Sequence, residues 1–217
     1  MPAPVAAEPP ARERALGALT GLALGDALGM PTQSMSPARI RRCYGTITGL
    51  RDAVAEQPIA PSVPAGSVTD DTEQALILAG LLIDGGGRID PHQLADALLR
   101  WEDDMRARGS LDLLGPSTKL ALERVRAGAD PHCTGRQGTT NGAAMRVAPV
   151  GIAFSLSADG DALAQAVHAS CLVTHDTRQG FEAAGLLAAA VSAAIDGVDA
   201  AGALEAALDF VAAHPEE

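Results

Sequence analysis

Apolar residues recur every three to four positions along most of the chain, and this spacing predicts amphipathic α-helices. The clearest case is the segment 90–109, where Leu94, Leu98, Trp101 and Met105 share one helical stripe. The same reasoning predicts helices over 14–30, 36–45, 70–83, 115–128, 161–175, 177–197 and 199–214, and an apolar helix containing Pro149 after a turn at Asn141-Gly142. No segment shows the apolar–polar alternation of a strand, so the pattern predicts an all-α fold.

Two features of the composition refine this prediction. Hydrophobic residues make up 47% of the chain but aromatic residues only 2%, so alanine, leucine, valine and isoleucine must form the core, which favours closely packed helices. Four glycines lie near one face of the first helix, and each costs roughly 1 kcal/mol against alanine: Gly17, Gly21, Gly25 and Gly29. Either tight packing against another helix or the close approach of a ligand would offset that cost.

The chain divides into a tail and one domain. Residues 1–13 are rich in proline and alanine and predict a flexible tail, whereas residues 14–217 are long enough for a single helical domain. Between residues 31 and 68 several prolines interrupt the helical pattern, apart from a short helix capped by Ser36. A long connection of this kind is often a lid or a binding loop.

Charge and cysteine content exclude several classes of function. A formal net charge of −11 argues against a general nucleic-acid surface and against binding to anionic membranes. No apolar run approaches the roughly 20 residues that a membrane span requires. Three scattered cysteines without a CxxC pair suit a reducing compartment. We therefore expect a soluble, cytoplasmic protein that binds neither nucleic acid nor membrane.

The stretch SVTDDTEQAL places two adjacent carboxylates, Asp70 and Asp71, directly before an apolar helical run. One interpretation is structural, because Asp70 at the helix N-cap with Glu73 three residues later gives a capping-box-like pattern. The other is chemical, because Mg²⁺ prefers oxygen ligands and the Thr69 hydroxyl with the two carboxylates supplies three from one turn. No imidazole or thiolate lies beside them in the sequence, which argues against zinc there.

Six motifs, taken in order, resemble those of the ADP-ribosylglycohydrolase family. They are GLALGDALG, YGTITG, SVTDDTEQAL, LDLLGPSTKLAL, TTNGAAMRVAPVGIAF and THDT. The resemblance implies an orthogonal multi-helix bundle with a site for two Mg²⁺ ions, for which Mn²⁺ is an alternative. It also implies hydrolysis of the bond between ADP-ribose, or a related ribosyl group, and its acceptor, in a small molecule or in an ADP-ribosylated protein.

The same resemblance implies roles for nine residues. It implies Thr69, Asp70 and Asp71 as metal ligands, Asp26 and Asp112 as catalytic carboxylates, and Gln33, Asn141, Gly142 and His175 as substrate-binding residues. Asp112 is expected at the anomeric side of the substrate, where a carboxylate polarises the bond or activates water. Asp26 is expected close behind the metal centre, and Asn141 with Gly142 beside the phosphate and ribose.

Two departures from the family pattern leave alternatives open. Many members carry a glutamate where this chain has Gln33, and an amide cannot exchange a proton at neutral pH. A nucleoside-type N-glycosidase acting on a small ribosyl compound is therefore one alternative. The family's later Asp-x-Asp-Thr motif does not occur in this sequence, so we expect a C-terminally incomplete domain that lacks half of the metal site. A missing C-terminal fragment as partner, or a non-catalytic binding or structural protein on the same scaffold, follows from that expectation.

Overall fold

A computed structural model describes residues 10–108 and 114–215 of the protein. These residues form ten α-helices: α1 (Ala11–Gly29), α2 (Pro37–Tyr44), α3 (Asp70–Asp84), α4 (Pro91–Ala107), α5 (Pro116–Arg126), α6 (Gly142–Arg146), α7 (Ala148–Ala153), α8 (Gly160–Cys171), α9 (Arg178–Ile195) and α10 (Ala200–Ala213). The described residues contain no strand, which confirms the all-α prediction. None of the ten helices combines the length and apolar character that a membrane crossing needs.

Helix α9 is the centre of the packing, where it contacts α1, α6, α7, α8 and α10. Its buried face consists largely of small residues, among them Ala184, Ala188 and Ala189. A Cβ at Gly151 of α7 would lie 2.3 Å from the backbone oxygen of Ala188, so only glycine allows α7 and α9 to approach this closely. The alanine-rich composition therefore predicted the close packing of the C-terminal helices correctly.

The predicted helices are present, apart from one that is divided. Ser36 caps α2, where its Oγ accepts a hydrogen bond from the backbone N–H of Arg39 at 3.3 Å, and residues 45–69 follow without regular helix. The predicted single helix around Pro149 is two, because α6 ends at Arg146 and α7 begins at Ala148. Pro149 lies in the first turn of α7, where its missing N–H costs no helical hydrogen bond.

Helix α1 lies largely on the surface of the described structure. It begins at Ala11, so residues 11–13 of the predicted tail are helical, whereas residues 1–9 lie outside the described part. A Cβ would meet no atom within 4 Å at any of the four glycines of the stripe, namely Gly17, Gly21, Gly25 and Gly29. Tight helix packing is therefore the wrong explanation of this stripe within the described residues.

Candidate functional site

The N-terminus of α3 is capped by Asp26 of α1. The Asp26 carboxylate accepts hydrogen bonds from N and Oγ1 of Thr69, both at 2.7 Å, and from N and Oγ1 of Thr72 at 3.2 and 2.6 Å. Thr69 occupies the N-cap position and Asp70 is the first helical residue. The prediction of Asp70 as the N-cap is therefore wrong, because the capping carboxylate comes from another helix.

Glu73 does not form the predicted capping box either. Its carboxylate accepts a hydrogen bond from the indole N–H of Trp101 at 2.5 Å and two from the Arg108 guanidinium at 2.9 and 3.0 Å. The hydrogen bonds from Arg108, and then the one from Trp101, lower the pKa of Glu73. Glu73 thus links α3 to the C-terminal end of α4, and Asp26 caps the N-terminus of α3 instead.

The acid pair, Asp70 and Asp71, lies where negative charge is costly. Asp70 exposes only 4% of its surface, and its Oδ1 has no hydrogen-bond partner among the described residues. Burial, and then the Asp71 carboxylate, raise the pKa of Asp70 to about 7. Burial and the Asp26 carboxylate also raise the pKa of Asp71. A cation bound between the two carboxylates would offset this cost and favour their ionised forms.

Two adjoining cavities meet at the acid pair. The larger has a volume of about 320 Å³ and is lined by Gly25, Asp26, Gly29, Met30, Gln33, Thr69, Asp71 and Asn141. The smaller has a volume of about 70 Å³ and is lined by Gln33, Asp70, Asp71, Gly115, Thr118, Thr140, Asn141, Gly142 and Met145. Seven of the nine predicted site residues therefore meet here, and two glycines of the α1 stripe form part of the wall.

Gln33 presents its side chain to both cavities. Its Oε1 is buried and has no hydrogen-bond partner within the described part of the chain, so it can accept a hydrogen bond from a ligand. Its backbone oxygen accepts a hydrogen bond from Nε2 of Gln57 at 3.0 Å, which holds the loop after α1. This geometry suits the role of a substrate contact.

The segment from Thr140 to Gly142 forms one wall of the smaller cavity, and His175 supports it from behind. His175 is fully buried, with Nε2 at 2.9 Å from Thr140 Oγ1 and Nδ1 at 2.8 Å from Thr174 Oγ1. Burial, and then the charge of Arg146, lower the pKa of His175 to about 3, so its imidazole is neutral. His175 lines neither cavity, which corrects the expectation of a direct substrate contact.

Arg146, which the sequence analysis missed, lies deeper behind the same wall. It is completely buried and donates to Gln74 Oε1 at 2.9 Å, to Thr174 Oγ1 at 2.5 Å and to a backbone oxygen at 3.3 Å. Burial lowers its pKa to about 10, which leaves it charged at neutral pH. Arg146, Thr174, His175 and Thr140 thus form one chain of polar contacts that ends at the cavity. An arginine inside the otherwise apolar segment 142–154 was the sequence signal.

The donor set at the acid pair fits a hard divalent cation. Asp70 Oδ1 is buried, and no side chain among the described residues donates a hydrogen bond to it. A cation would supply the missing partner. Asp71 and the Thr69 hydroxyl lie beside it and offer oxygen atoms only, which Mg²⁺ prefers. The Asp26 carboxylate already accepts four hydrogen bonds, so its contribution is to hold Thr69 and the start of α3 in place.

Replacing Thr72 by valine should test this supporting role of Asp26. Thr72→Val keeps the side-chain shape but removes the 2.6 Å hydrogen bond to Asp26. Loss of such an outer contact typically costs about 10–100-fold in metal affinity, and we expect a Mg²⁺ affinity lower by that factor in calorimetry. Thr20→Val, on the exposed part of α1, is the matched control and should bind Mg²⁺ like the unmodified protein. Equal Mg²⁺ affinity of Thr72→Val and this control would contradict a supporting role.

A methyl group at Gly142 should disturb the wall between the cavity and His175. A Cβ at this position would lie 2.6 Å from Cε1 of His175 and 3.2 Å from Oγ1 of Thr118, both of which are buried. We expect Gly142→Ala to lower the free energy of unfolding by about 1–3 kcal/mol in urea titrations. Gly21→Ala is the control, because its Cβ meets no atom and alanine in a helix gains up to about 1 kcal/mol. If Gly142→Ala were as stable as the unmodified protein, His175 would not pack against this turn.

Asp112, the second predicted catalytic carboxylate, lies in the segment 109–113, outside the described residues. The described residue that follows it most closely on the cavity wall is Gly115. The role of Asp112 as a catalytic carboxylate therefore stays a prediction.

Known proteins are similar to this chain in sequence, and one solved structure is similar to it in fold. YegU of Escherichia coli (strain K12) is 35% identical over 205 residues, which cover 94% of this chain and 60% of YegU. ADP-ribosylarginine hydrolase Tri1 of Pseudomonas putida (strain GB-1) is 32% identical over 198 residues, which cover 87% of this chain and 48% of Tri1. A solved structure described as an ADP-ribosylglycohydrolase-related protein complex matches with a TM-score of 0.68 and 32% identity, covering 95% of this chain and 64% of that one.

This chain matches only part of each of these relatives. It spans about half to two thirds of the length of these relatives, so it corresponds to part of each. Within that part, the family model described as ADP-ribosylglycohydrolase matches residues 7–217, which is nearly the whole sequence. The motifs around Asp26, Thr69–Asp71 and Asn141-Gly142 line the two adjoining cavities in the structure. The chain belongs to the ADP-ribosylglycohydrolase family.

Proposed function

We propose that the protein takes part in Mg²⁺-dependent hydrolysis of the bond between an ADP-ribosyl, or related ribosyl, group and its acceptor. The observation that carries this proposal is the buried, unpartnered Asp70 Oδ1 beside Asp71 at the junction of two cavities. That geometry supports an oxygen-ligated cation next to a space for a polar ligand. Family membership supplies the ribosyl chemistry, and Tri1 is named as an ADP-ribosylarginine hydrolase.

The residues around the cavities have different roles in this proposal. Asp70, Asp71 and Thr69 would hold Mg²⁺, which supplies Lewis-acid stabilisation of charge that develops on the ribosyl group. Gln33 accepts a hydrogen bond from the ligand through its free Oε1. Asn141, which lines both cavities, contacts the phosphate and ribose part of the ligand.

Proton transfer is assigned to Asp112. Hydrolysis needs a base that removes a proton from water as it attacks the anomeric carbon, and a carboxylate in this role contributes roughly 10²–10⁴-fold. His175 is unsuited, because it is neutral, buried and has both ring nitrogens in contact with threonine hydroxyls. Asp26 is unsuited as well, because its carboxylate caps α3. Of the two carboxylates that the resemblance implies as catalytic, this leaves Asp112, which lies outside the described residues.

The chain spans only part of its relatives, so the complete site and its partners are part of the proposal. Two carboxylates and a hydroxyl leave several coordination positions of Mg²⁺ to water, to substrate or to a further polypeptide segment. A separate C-terminal fragment that adds ligands is one such partner. The substrate is an ADP-ribosylated small molecule or an ADP-ribosylated protein.

The experiment is a hydrolysis assay with ADP-ribosyl-arginine in the presence of Mg²⁺ or of EDTA. We expect release of ADP-ribose that requires Mg²⁺ and is lost in Asp112→Asn, while the latter still binds Mg²⁺ in calorimetry. Asp104→Asn, an exposed carboxylate at the end of α4, is the control and should retain turnover. Mg²⁺ binding without any turnover would contradict the catalytic proposal and favour a binding protein on this scaffold.

Gln33 favours a second candidate, an N-glycosidase that acts on a small ribosyl compound. An amide at this position offers an acceptor to a ligand hydroxyl but no acid or base, which suits recognition of a ligand without further charge. The same assay with plain nucleosides distinguishes the two candidates. Faster turnover of nucleosides than of ADP-ribosyl-arginine would favour the second.

A further inference from the structure

The sequence Asp-Pro-His occurs twice, at 90–92 and at 130–132, and the fold brings the two copies together. The first copy begins α4, and the second begins a single 3-10 turn, Pro131–Cys133, that contacts α4. One ligand atom from each of His92, Asp130 and His132 lies within 4.8 Å of the other two. The rings of His92 and His132 meet edge to face, with centroids 5.3 Å apart. Two segments 40 residues apart therefore present two imidazoles and a carboxylate at one place.

Hydrogen bonds and prolines fix the backbone conformation of both copies. Asp90 caps α4 by accepting a hydrogen bond from the N–H of Gln93 at 2.9 Å, and Asp130 accepts one from the N–H of His132 at 3.0 Å. The prolines that follow are buried and have φ restricted by their rings. The side chains of His92, Asp130 and His132 are exposed on this fixed frame, so an ion can reach them from solvent.

The donor chemistry selects the class of metal. Imidazole nitrogen with carboxylate oxygen suits zinc and related transition metals, whereas Mg²⁺ prefers oxygen ligands alone. In a tetrahedral zinc site with metal–ligand distances of about 2.0–2.1 Å, ligand atoms lie about 3.3 Å apart. Asp130 Oδ1 and His132 Nδ1 are already 2.9 Å apart, and the His92 ligand atom lies within 4.8 Å of a ligand atom of each, on an exposed side chain that is free to adjust.

We propose that His92, Asp130 and His132 form a binding site for a zinc-type transition metal ion, with water completing its coordination. None of the three lines the cavities at the acid pair, so this site is separate from the proposed active site. The bound ion links the N-terminus of α4 to the segment that follows α5.

The test is a calorimetric titration with Zn²⁺ in the presence of saturating Mg²⁺, which occupies the acid pair. The protein carries no histidine tag, and Cys133→Ser is used as the background because the neighbouring Cys133 thiol is exposed. We expect one Zn²⁺ per chain with a micromolar dissociation constant. His92→Gln and Asp130→Asn should each weaken binding at least tenfold, whereas His168→Gln, another partly exposed histidine, should leave it unchanged.

A thermal melt gives an independent readout of the same site. Zn²⁺ should raise the melting temperature of the Cys133→Ser protein and leave that of its His92→Gln derivative unchanged, because only a ligand of the folded state stabilises it. Absence of saturable Zn²⁺ binding, or equal binding with and without His92, would overturn the proposal. Neither result depends on turnover or on the acid pair. Failure of the zinc proposal would therefore leave the proposed hydrolase function unaffected.

Discussion

Asp70→Asn is expected to abolish Mg²⁺ binding and to lower Mg²⁺-dependent turnover by roughly 10²–10⁴-fold, because Lewis-acid stabilisation is worth several kcal/mol. The amide keeps the size of the carboxylate but removes the charge that a cation needs at this buried position. Asp84→Asn, an exposed carboxylate at the other end of α3, removes the same charge and should change neither property. Calorimetry measures Mg²⁺ binding, and release of ADP-ribose measures turnover.

The same substitution is expected to stabilise the metal-free protein above neutral pH. The pKa of Asp70 is about 7 in the folded state and about 3.8 without the fold, so between these values the folded state binds more protons. The contribution of Asp70 to the free energy of unfolding is therefore fully present below about pH 4 and is lost as the pH rises through 7. Asparagine does not titrate, so Asp70→Asn should gain on the order of 2–4 kcal/mol over the unmodified protein at pH 8.

Urea titrations in EDTA at pH 5 and pH 8 measure this gain. The difference between Asp70→Asn and the unmodified protein should be larger at pH 8 than at pH 5. A variant that loses Mg²⁺ binding and also loses stability at pH 8 would show that Asp70 serves the fold and not a cation. The opposite signs of the two effects are what distinguish a ligand from a structural carboxylate.

Arg146→Met is expected to lower the free energy of unfolding by about 2–5 kcal/mol, because buried acceptors that lose their donor cost about 1–3 kcal/mol each. Methionine leaves Gln74 Oε1 and Thr174 Oγ1 without their buried donor and forfeits the contacts of a completely enclosed side chain. Arg178→Met is the control, because Arg178 is exposed and its ion pair with Glu182 contributes only about 0–1 kcal/mol. Urea titrations of both variants provide the comparison.

Arg146→Met should also change the titration of His175. The pKa of His175 is lowered to about 3 by burial and then by the charge of Arg146, so removing that charge should raise it. NMR titration of the imidazole measures this shift, provided that the variant remains folded. A loss of less than about 1 kcal/mol, with an unchanged His175 titration, would mean that Arg146 does not hold the chain of contacts behind the cavity.

Local patterns predicted the helices well, because each depends on residues within one or two turns. Ser36 and the residues after it determine α2, and the alanines of the last three predicted helices determine how closely these helices pack. The caps of α3 were predicted wrongly for the same reason. The carboxylate that caps it, Asp26, is 43 residues away from Thr69, and Glu73 binds Trp101 of α4 and Arg108 directly after α4.

The candidate site was predictable only where it follows from short motifs. Thr69–Asp71 and Asn141-Gly142 stand out in the sequence, and the fold places them at one cavity. The burial of His175 and its contacts to Thr140 and Thr174 depend on how α8 and α9 meet the turn before α6, which no local pattern encodes. The two Asp-Pro-His copies are visible in the sequence, but only the contact between α4 and the segment after α5 shows that they meet.

The exposed position of α1 has a consequence for the order in which the structure opens. Ala27 is the only buried residue of α1. The hydrogen bonds that join α1 to other helices include those of Asp26 and one from Arg14 to the backbone oxygen of Ile195 at 2.7 Å. Few buried contacts place a segment at the low end of local stability, so the amides of α1 should exchange with deuterium before those of α9. When α1 opens, Asp26 no longer caps α3, and the hydrogen bonds that hold the helix turn carrying Asp70 and Asp71 are lost. A cation at Asp70 and Asp71 should therefore slow exchange along α1, although it touches no amide of that helix.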